Sequence, residues 1–511
     1  MQPAPRTTRV SIPSPSKPRL ARDQDLLTRL ITLREGVERE ARQTLDRWRP
    51  KLTRVSFRPS ALNLASYLAF RSRDVRPLQD ELAVWGLSSL GRSESHILAN
   101  LDAVLNSLAT LTQVEEERIR SRPRRASFRL GDKLLERNTR HLFGGSEGDG
   151  ETRVMVTLPE NAGEDGALVR ALVAEGMSCA RINCAHGTHE DWLAMIRQVR
   201  AAEKGLGRHC RVLMDLCGPR VRTVAVLSRG ERQLLPGDRL LFRRTPPEPR
   251  LLSPPFQIEC TPASILETLK VGSRVLIDEG KIEAVVEKLG PDGVVAEVTR
   301  TPPGGAQLKP EKGLNFPGTD LGLPALTEKD RADLDTIIAN ADLVGYSFVQ
   351  DESDIETLWG EITPRLKRLG RPVPGLILKI ETEKAVRNLP DLIVTAAGHA
   401  PVGVMIARGD LAVEVGFHRL AELQEEILWL AEAAHTPVIW ATQVLEQQVK
   451  KGTPSRAEIS DIVLAQRAEC VMLNKGEFLL DALKTVKDVF QRMGNHQHKK
   501  TARLRALRAW S

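Results

Sequence analysis

The amino-acid sequence predicts an α/β fold: a (β/α)₈ TIM barrel that carries an inserted small β-barrel lid domain and follows an N-terminal α-helical domain. Eight short apolar runs occur after residue 152, and segments with helical patterning separate them. The starts of these runs are 26 to 34 residues apart, except for one gap of 132 residues that has its own strand-like pattern. Buried parallel strands alternate with helices at this spacing, and eight such units close a barrel.

The eight apolar runs set the boundaries of the expected domains. They read RVMVTL (153–158), CARINC (179–184), RVLMDL (211–216), LVGYSFV (343–349), LILKIE (376–381), GVMIAR (403–408), PVIWAT (437–442) and CVMLNK (470–475). We expect the barrel to comprise residues 152–217 and 311–494, and the inserted β lid to comprise residues 218–310, where PGD, VGS and GPDG turns separate strand-like stretches. Because the insert follows the third run, it belongs at the carboxyl ends of the strands, where barrel active sites lie.

The chain before the barrel and the last residues after it differ from the barrel in composition. Residues 1–22 are rich in Pro, Ser and Arg, which predicts a disordered tail. Apolar residues at three- and four-residue steps predict a helix from Asp23 to Arg49, and a second stripe follows Ser93, its expected N-cap. We therefore expect a helical domain at 23–117, a basic linker at 118–151 and a basic tail at 495–511.

The net charge of +8 (74 − 66) comes from the tails and the linker. Three basic segments, 1–22, 118–140 and 498–511, carry +17 together, which leaves −9 for the rest of the chain. These segments are candidates for nucleic-acid binding, but we expect solvated linkers and no nucleic-acid partner.

No apolar stretch approaches the roughly 18 residues of a membrane span, and no signal-like segment follows the N-terminus, so we expect a cytoplasmic protein without membrane contact. The six cysteines lack the spacing of a disulfide framework or zinc site.

Polar residues follow almost every apolar run. They are Arg181 and Asn183, Asp215, Ser347, Lys379 and Glu381, Arg408 and Asp410, Thr442, and Lys475 and Glu477. Because the carboxyl ends of barrel strands share one face, we expect these side chains to converge. Glu381 and Asp410 offer the hard oxygen ligands that Mg²⁺ prefers, and Lys379 lies on the same strand face as Glu381. Any one of them alone is explained by a rim salt bridge, but together they predict a metal-assisted reaction on a phosphorylated anion.

Several ordered segments carry a resemblance to a known family. They are GMSCARINCAHGTHEDW (176–192), LMDLCGPRVRT (213–223), VLIDEGKIEAVV (275–286), EKGLNFPG (311–318), LPALTEKD (323–330), LKIETEKAVRNL (378–389), VMIARGDLAVEVG (404–416) and ATQVLEQQVKKGTPSRAEISDI (441–462). In these segments, which span the barrel and the insert, the sequence resembles pyruvate kinase. The resemblance implies Mg²⁺-dependent phosphoryl transfer from phosphoenolpyruvate to ADP, giving pyruvate and ATP, with Mn²⁺ as an alternative metal.

The resemblance also implies roles for individual residues. Lys379 would stabilise the transferring phosphoryl group and the enolate, Arg181 would contact the phosphoryl group, and Thr442 would lie near the carbon that is protonated. Glu381 and Asp410 would hold the metal. The backbone at Arg408 and Gly409, beside Asp410, would bind the substrate carboxylate. The nucleotide and its phosphates would meet Asn183, His186, Arg222 and Lys312, with Asp278 nearby on the lid.

The sequence departs from the family pattern in the region that binds a monovalent cation, formed here by Asn183, Asp215, Leu216 and Arg220. A family serine is replaced by Ala185, and a basic residue, Arg220, stands where K⁺-requiring members carry Glu. We therefore expect activity that does not require K⁺. Cys217 replaces a family lysine, which predicts weaker phosphate or nucleotide binding.

Two other functions stay open at the level of sequence. One is a catalytically weak protein that senses phosphoenolpyruvate, and the other is a kinase with a different phosphoryl acceptor. The sequence ends one helix after the eighth run, so the resemblance implies that the family's C-terminal regulatory domain is absent. A homo-oligomer or a protein partner that docks through the N-terminal helices is a further expectation.

Overall fold

The structure, a computed structural model, describes residues 17–88, 90–114, 117–145, 152–228, 233–248, 254–494, 496–498 and 501–502. It divides into two compact units, one of Met1–Arg47 with Pro59–Asp132 and one of Trp48–Arg58 with Lys133–Ser511. The expected disordered tail lies outside the described residues as far as residue 16, and helix begins at Lys17. Most of the expected basic tail also lies outside them. No helix among the described residues is long and apolar enough to cross a membrane.

The first unit is helical. Its helices are α1 (Lys17–Trp48), α2 (Arg58–Arg71), α3 (Arg76–Val84) and α4 (Ile97–Thr112), and short 3₁₀ turns occur at Glu94–His96 here and at Arg49–Lys51 and Val55–Phe57 in the second unit. The predicted stripe of α1 is buried, as at Leu30 and Val37. The expected N-cap is wrong, because the Ser93 hydroxyl donates to the carbonyl of Leu90 (2.8 Å) and makes no cap bond.

A helix, α5 (Arg125–Phe143), occupies much of the stretch that the sequence predicts to be a linker. Its last two residues, Leu142 and Phe143, are fully buried in a cluster with side chains from the barrel strands. Gly375 and Gly403, near the starts of their strands, make room for Leu142, since a Cβ atom there would lie 2.5 and 3.1 Å from its methyl groups. The end of α5 therefore closes the amino-terminal mouth of the barrel. The sequence does not reveal this role, because the many arginines of the helix make the stretch resemble a basic linker.

The second unit contains the barrel and the insert. The barrel begins with β1 (Arg153–Thr157), β2 (Met177–Asn183) and β3 (Arg211–Asp215). The insert contributes β4 (Arg222–Ser228), β5 (Arg239–Arg243), β6 (Phe256–Thr261), β7 (Arg274–Ile277), β8 (Ile282–Gly290), β9 (Gly293–Arg300) and β10 (Leu314–Asn315). The barrel continues with β11 (Leu343–Tyr346), β12 (Gly375–Ile380), β13 (Val402–Ala407), β14 (Val438–Ala441) and β15 (Cys470–Leu473). A short pair, β16 (Gln497–His498) and β17 (Thr501–Ala502), follows.

The barrel is closed and parallel, in the order β1-β15-β14-β13-β12-β11-β3-β2, which confirms the predicted fold class. Its helices are α6 (Gly166–Glu175), α7 (His189–Leu206), α8 (Glu328–Asn340), α9 (Glu352–Leu369), α10 (Glu383–His399), α11 (Arg408–Val415), α12 (Phe417–Ala433), α13 (Glu446–Lys451), α14 (Arg456–Ala465) and α15 (Leu479–Met493). The strand residues are buried almost throughout, as expected of strands covered on both faces.

The insert forms a seven-stranded sheet in the order β10-β7-β8-β9-β5-β6-β4 around its own apolar core. Two 3₁₀ turns, Glu160–Gly163 in the barrel and Ala263–Glu267 in the insert, complete the elements of this unit. The sequence pattern does not reveal β6 or β10. Strand β6 follows a Pro-rich stretch, and β10 is only two residues long.

Candidate active site

A cleft of about 1290 Å³ lies between the carboxyl ends of the barrel strands and the insert. Twelve residues that the sequence predicts for the site line it: Arg181, Asn183, His186, Arg220, Arg222, Asp278, Lys312, Lys379, Glu381, Gly409, Asp410 and Thr442. Lys475, predicted from its place after the eighth run, lines the cleft as well, and Asp215, Leu216, Ser347 and Arg408 are buried outside the lining. Glu477 is exposed and does not line the cleft. Most of the polar residues predicted at the strand ends therefore converge on one cleft.

Lys379 is the centre of a buried ionic network. Its side chain is 6% exposed, and its Nζ lies 2.9 Å from Oε1 of Glu381 and 3.8 Å from Oδ2 of Asp215. The same Nζ donates to the hydroxyl of Ser347 at 2.7 Å, and that hydroxyl donates to the carbonyl of Leu216 at 2.6 Å. These contacts fix the ammonium group at the floor of the cleft.

Arg181 is the second buried cation. Its Nε donates to Oδ2 of Asp215 at 2.7 Å, and its Nη1 donates to the hydroxyl of Thr157 at 3.0 Å. Asp215 is fully buried and shared between Arg181 and Lys379, so one carboxylate positions two cations. Gly345 is required beside it, because a Cβ atom at that position would overlap the Asp215 carboxylate.

Glu381 and Asp410 form the predicted carboxylate pair. Burial raises the pKa of Glu381, and repulsion from Asp410 raises it further, while Lys379 and the N–H of Phe348 act in the opposite direction. That N–H donates to Oε2 of Glu381 at 2.6 Å. The described residues contain no cluster of three or more His, Cys, Asp or Glu side chains that could hold a metal ion.

The Arg408 side chain is turned away from the cleft. It donates to both oxygens of Asp461 (2.6 and 2.9 Å), to the carbonyl of Ala441 (2.9 Å) and to that of Thr442 (2.6 Å). It also stacks over the Trp440 ring at 4.6 Å. Only its backbone is left for the predicted carboxylate contact, and the guanidinium instead holds the loop after β14.

Thr442 and Gly409 meet at the edge of the cleft. The N–H of Gly409 donates to the Thr442 hydroxyl at 2.8 Å. Thr442 (φ 62°) and the next residue, Gln443 (φ 54°), have left-handed backbones, which is a strained conformation for a β-branched residue and is found mainly at functional sites. The loop is held in this state by Arg408.

The side of the cleft next to the insert, where the nucleotide is predicted to bind, is rich in charge. Asp278 on the insert accepts from Lys281 (2.8 Å) and pairs with Lys312 (3.0 Å), and Arg222 approaches Glu311 at 3.4 Å. The pKa of His186 is lowered by partial burial and by the positive charges of Lys475, Arg220 and Arg222, although Glu160 opposes this effect. Asn183 accepts from the N–H of Ala185 at 3.3 Å. The lining contains both signs of charge, and its cations on this side, Arg220, Arg222, Lys312 and Lys475, are groups that can contact a phosphate.

In the predicted monovalent-cation region, some of the oxygen atoms already accept hydrogen bonds from the protein. The Leu216 carbonyl already accepts from Ser347, and Oδ2 of Asp215 accepts from Arg181. Oδ1 of Asp215 is buried without a hydrogen-bond partner among the described residues. Arg220 lines the cleft and forms no ion pair within the described part of the chain.

Sequence analysis missed a positioning residue, Asp330. Its carboxylate is fully buried and accepts from the N–H groups of Cys217 (2.7 Å) and Gly218 (3.2 Å), where the barrel gives way to the insert. It also closes the capping box of α8 with Thr327. The Thr-x-x-Asp signature of a capping box was present in LPALTEKD and is the signal that marks it.

Comparison with known proteins agrees with this geometry. A family model described as pyruvate kinase, barrel domain, matches residues 150–479. The chain belongs to the pyruvate kinase family. It is 35% identical to the pyruvate kinase of Encephalitozoon cuniculi over 329 residues (63% of this chain, 71% of that one) and 32% identical to that of Geobacillus stearothermophilus over 346 residues (66% and 56%).

A solved pyruvate kinase from Cryptosporidium parvum superposes with a TM-score of 0.59 at 26% identity, over 70% of each chain. This similarity confirms the predicted barrel architecture. The chain spans less than two thirds of some pyruvate kinases that it matches, such as the G. stearothermophilus protein. The matched segment of the family model begins after α5, so residues 1–149 lie outside it.

Proposed function

We propose that this chain is a pyruvate kinase that transfers a phosphoryl group from phosphoenolpyruvate to ADP. The observation that carries the proposal is the buried network in which Asp215 positions both Lys379 and Arg181 beside the Glu381 and Asp410 carboxylates. Phosphoryl transfer depends mainly on positioning and electrostatic stabilisation, and two cations fixed by a buried carboxylate supply both.

The carboxylate pair fits a divalent cation, Mg²⁺ or, as an alternative, Mn²⁺. Two acidic groups so close that one raises the pKa of the other are stabilised when a cation is shared between them. Mg²⁺ is commonly held by one or two carboxylates together with substrate oxygens and water. When bound, it would offset the charge of the carboxylates and of the phosphoryl oxygens that meet there.

The protein's own groups then have distinct tasks. Lys379, fixed by Ser347, stabilises the charge that develops on the transferring group and on the enolate left behind. Arg181 holds the phosphoryl group. The enolate carbon takes its proton near Thr442, whose position depends on the guanidinium of Arg408.

The backbone at Arg408 and Gly409 is proposed to bind the substrate carboxylate at the start of α11, beside Asp410, with the carboxylate taking the place of the Thr442 hydroxyl to which the Gly409 N–H donates. Neither packing nor backbone conformation requires a glycine at 409, because a Cβ atom there would lie 3.7 Å from Thr442, an ordinary contact. A close approach by substrate is a reason for this residue that packing does not supply.

ADP is proposed to bind on the insert side, through Asn183, His186, Arg222 and Lys312, with Asp278 holding Lys312. Arg220 is proposed to replace the monovalent cation, so activity at saturating Mg²⁺ would not depend on K⁺. A several-fold rise in rate on adding K⁺ would contradict this part of the proposal. The cytoplasmic location, and an oligomer or partner contact through the N-terminal helices, stay predictions.

The decisive experiment is coupled ATP formation from phosphoenolpyruvate and ADP. Lys379→Met should lower kcat by at least about a hundredfold, since a buried charge-stabilising group typically contributes 10² or more. Lys384→Met is the matched control, because Lys384 lines the same cleft but is 39% exposed and pairs with Asp351 (3.1 Å).

Other outcomes distinguish the alternative functions. Phosphoenolpyruvate binding that needs Mg²⁺, without turnover with any nucleoside diphosphate, would favour the sensor. Consumption of phosphoenolpyruvate with an acceptor other than ADP would favour a kinase that uses a different phosphoryl acceptor.

A further inference from the structure

The loop of residues 184–188, between β2 and α7, carries part of the proposed nucleotide site. Asn183, at the end of β2, and His186, in the loop, both line the cleft. From Ala185 to Thr188 the loop is half-buried or exposed, so packing alone does not fix its backbone. The hydrogen bonds that hold this backbone therefore decide where the two nucleotide-binding side chains lie.

Lys329, in the first turn of α8, holds the loop at its first residue. Its Nζ donates to the carbonyl of Cys184 at 2.9 Å, and a charged donor makes a stronger hydrogen bond than a neutral one. The N–H of Cys184 donates to the carbonyl of Asp215 at 3.1 Å. Both backbone groups of Cys184 are thereby tied to other parts of the barrel, and Lys329 supplies the bond that comes from a side chain.

Lys329 also packs against a second residue that holds the loop, Trp192 on α7. The indole Nε1 of Trp192 donates to the carbonyl of His186 at 2.8 Å. The Nζ of Lys329 lies 5.2 Å from the centre of the Trp192 ring, within the range of a cation–π interaction. The two carbonyls that are held, those of Cys184 and His186, flank Ala185. One ammonium group therefore acts on the loop both directly and through Trp192.

Asp333, one turn along α8, fixes the ammonium group. Its Oδ2 accepts from Nζ of Lys329 at 2.5 Å, and its Oδ1 lies 2.8 Å from Nε2 of His189. The Asp333 side chain is 7% exposed, whereas that of Lys329 is 50% exposed. Because a buried carboxylate is costly to leave unpaired, it restrains the more exposed lysine. A pair that only stabilised the helix would not require the contacts to Cys184 and Trp192.

We propose that Lys329 is a positioning residue for the nucleotide, because it fixes the loop that carries His186 and follows Asn183. The inference rests on the proposed function for the identity of the ligand, a nucleoside diphosphate. Without the ammonium group, the carbonyl of Cys184 loses its side-chain donor, and the loop can leave its binding conformation. The apparent affinity for ADP then falls with the fraction of molecules in which the loop is still in place.

Phosphoenolpyruvate should be affected far less. Its phosphoryl group is assigned to Arg181, which donates to Asp215 and Thr157 outside the loop. Lys379 is likewise held outside the loop, by Ser347. Loss of the loop contact should therefore separate the two substrates, which general damage to the barrel would not do.

Steady-state kinetics of K329M test the proposal. The KM for ADP should rise about fivefold to tenfold, the effect of one charge-assisted hydrogen bond that is partly exposed to water, while the KM for phosphoenolpyruvate stays that of the wild type. Hydrogen exchange of residues 184–188 in the free protein should accelerate by a similar factor, because the loop opens more often. The far-UV circular dichroism of K329M should equal that of the wild type, which shows that it folds.

R331Q is the matched control on the same helix. Arg331 is 32% exposed and pairs with Glu361 on α9, so R331Q should leave both KM values and the exchange of residues 184–188 unchanged. The proposal is overturned if K329M raises both KM values by the same factor, if it leaves the exchange of the loop unchanged, or if R331Q has the same effects. A wild type that forms no ATP would refute the proposed function instead, and loop exchange together with calorimetric titration of MgADP would then decide the role of Lys329.

Discussion

The ion pair between Arg408 and Asp461 gives the sharpest stability prediction. Arg408 has 10% of its side chain exposed and makes two charge-assisted bonds to Asp461, whose own side chain is 23% exposed. Asp461→Asn keeps the size of the side chain but leaves the guanidinium charge without its counter-ion. Breaking a buried pair costs on the order of 3 to 5 kcal/mol. Because Asp461 is partly hydrated and two carbonyls still accept from Arg408, we expect about 3 kcal/mol, at the lower end of that range.

Unfolding in guanidinium chloride, followed by far-UV circular dichroism, measures this loss of unfolding free energy, with Asp488→Asn as the matched control. Asp488 also pairs with an arginine, Arg492, at 2.7 Å, but on the exposed surface of α15, so its loss should leave stability unchanged. Asp461→Asn should also lower kcat by about tenfold or more, because Arg408 holds the Thr442 loop and small displacements of catalytic groups are costly. An Asp461→Asn protein as stable and active as the control would refute this reasoning.

Three further predictions concern the cleft, the closed barrel mouth and the start of the insert. Because the pKa of Glu381 is raised, Mg²⁺ affinity measured by calorimetric titration should fall as the pH drops through that raised value, and an affinity that falls only at the pH of an ordinary glutamate would contradict this prediction. Phe143→Ala should cost about 3 to 5 kcal/mol of unfolding free energy, whereas Leu130→Ala, 49% exposed on the same helix, should cost far less; equal losses would mean that α5 does not seal the barrel. Asp330→Asn should lower the free energy of unfolding by about 1 to 2 kcal/mol, because it weakens the capping box of α8. It should also raise the KM for ADP more than that for phosphoenolpyruvate, since Asp330 holds the start of the insert. An unchanged ratio of the two KM values in steady-state kinetics would contradict this positioning role.

The sequence predicted the barrel well because its strands are buried on both faces and read as continuous apolar runs. Each of the eight runs coincides with a strand to within a few residues, as at Cys470–Leu473. The helical domain was predicted less completely. The helices Arg58–Arg71 and Arg76–Val84 have weaker or shorter apolar periodicity, and α5 appears as a linker because arginines dominate its composition.

The site residues were predictable to the extent that the carboxyl ends of barrel strands share one face. By that rule, the sequence alone predicts that Arg181, Lys379 and Glu381 share one cleft. It could not give the direction of a side chain. Arg408 follows a strand like the others, yet it turns to Asp461, a residue 53 positions away.

The sequence by itself therefore determined the order of the elements, the face that carries the chemistry and the residue types that meet there, because these follow from local periodicity and from the geometry of a closed parallel sheet. Tertiary structure alone decided which charges pair. The sharing of Asp215 between Lys379 and Arg181 and the pairing of Arg408 with Asp461 both depend on atoms distant in the chain. Ionic interactions are set by separations of a few ångströms and by burial, and no sequence pattern encodes either one.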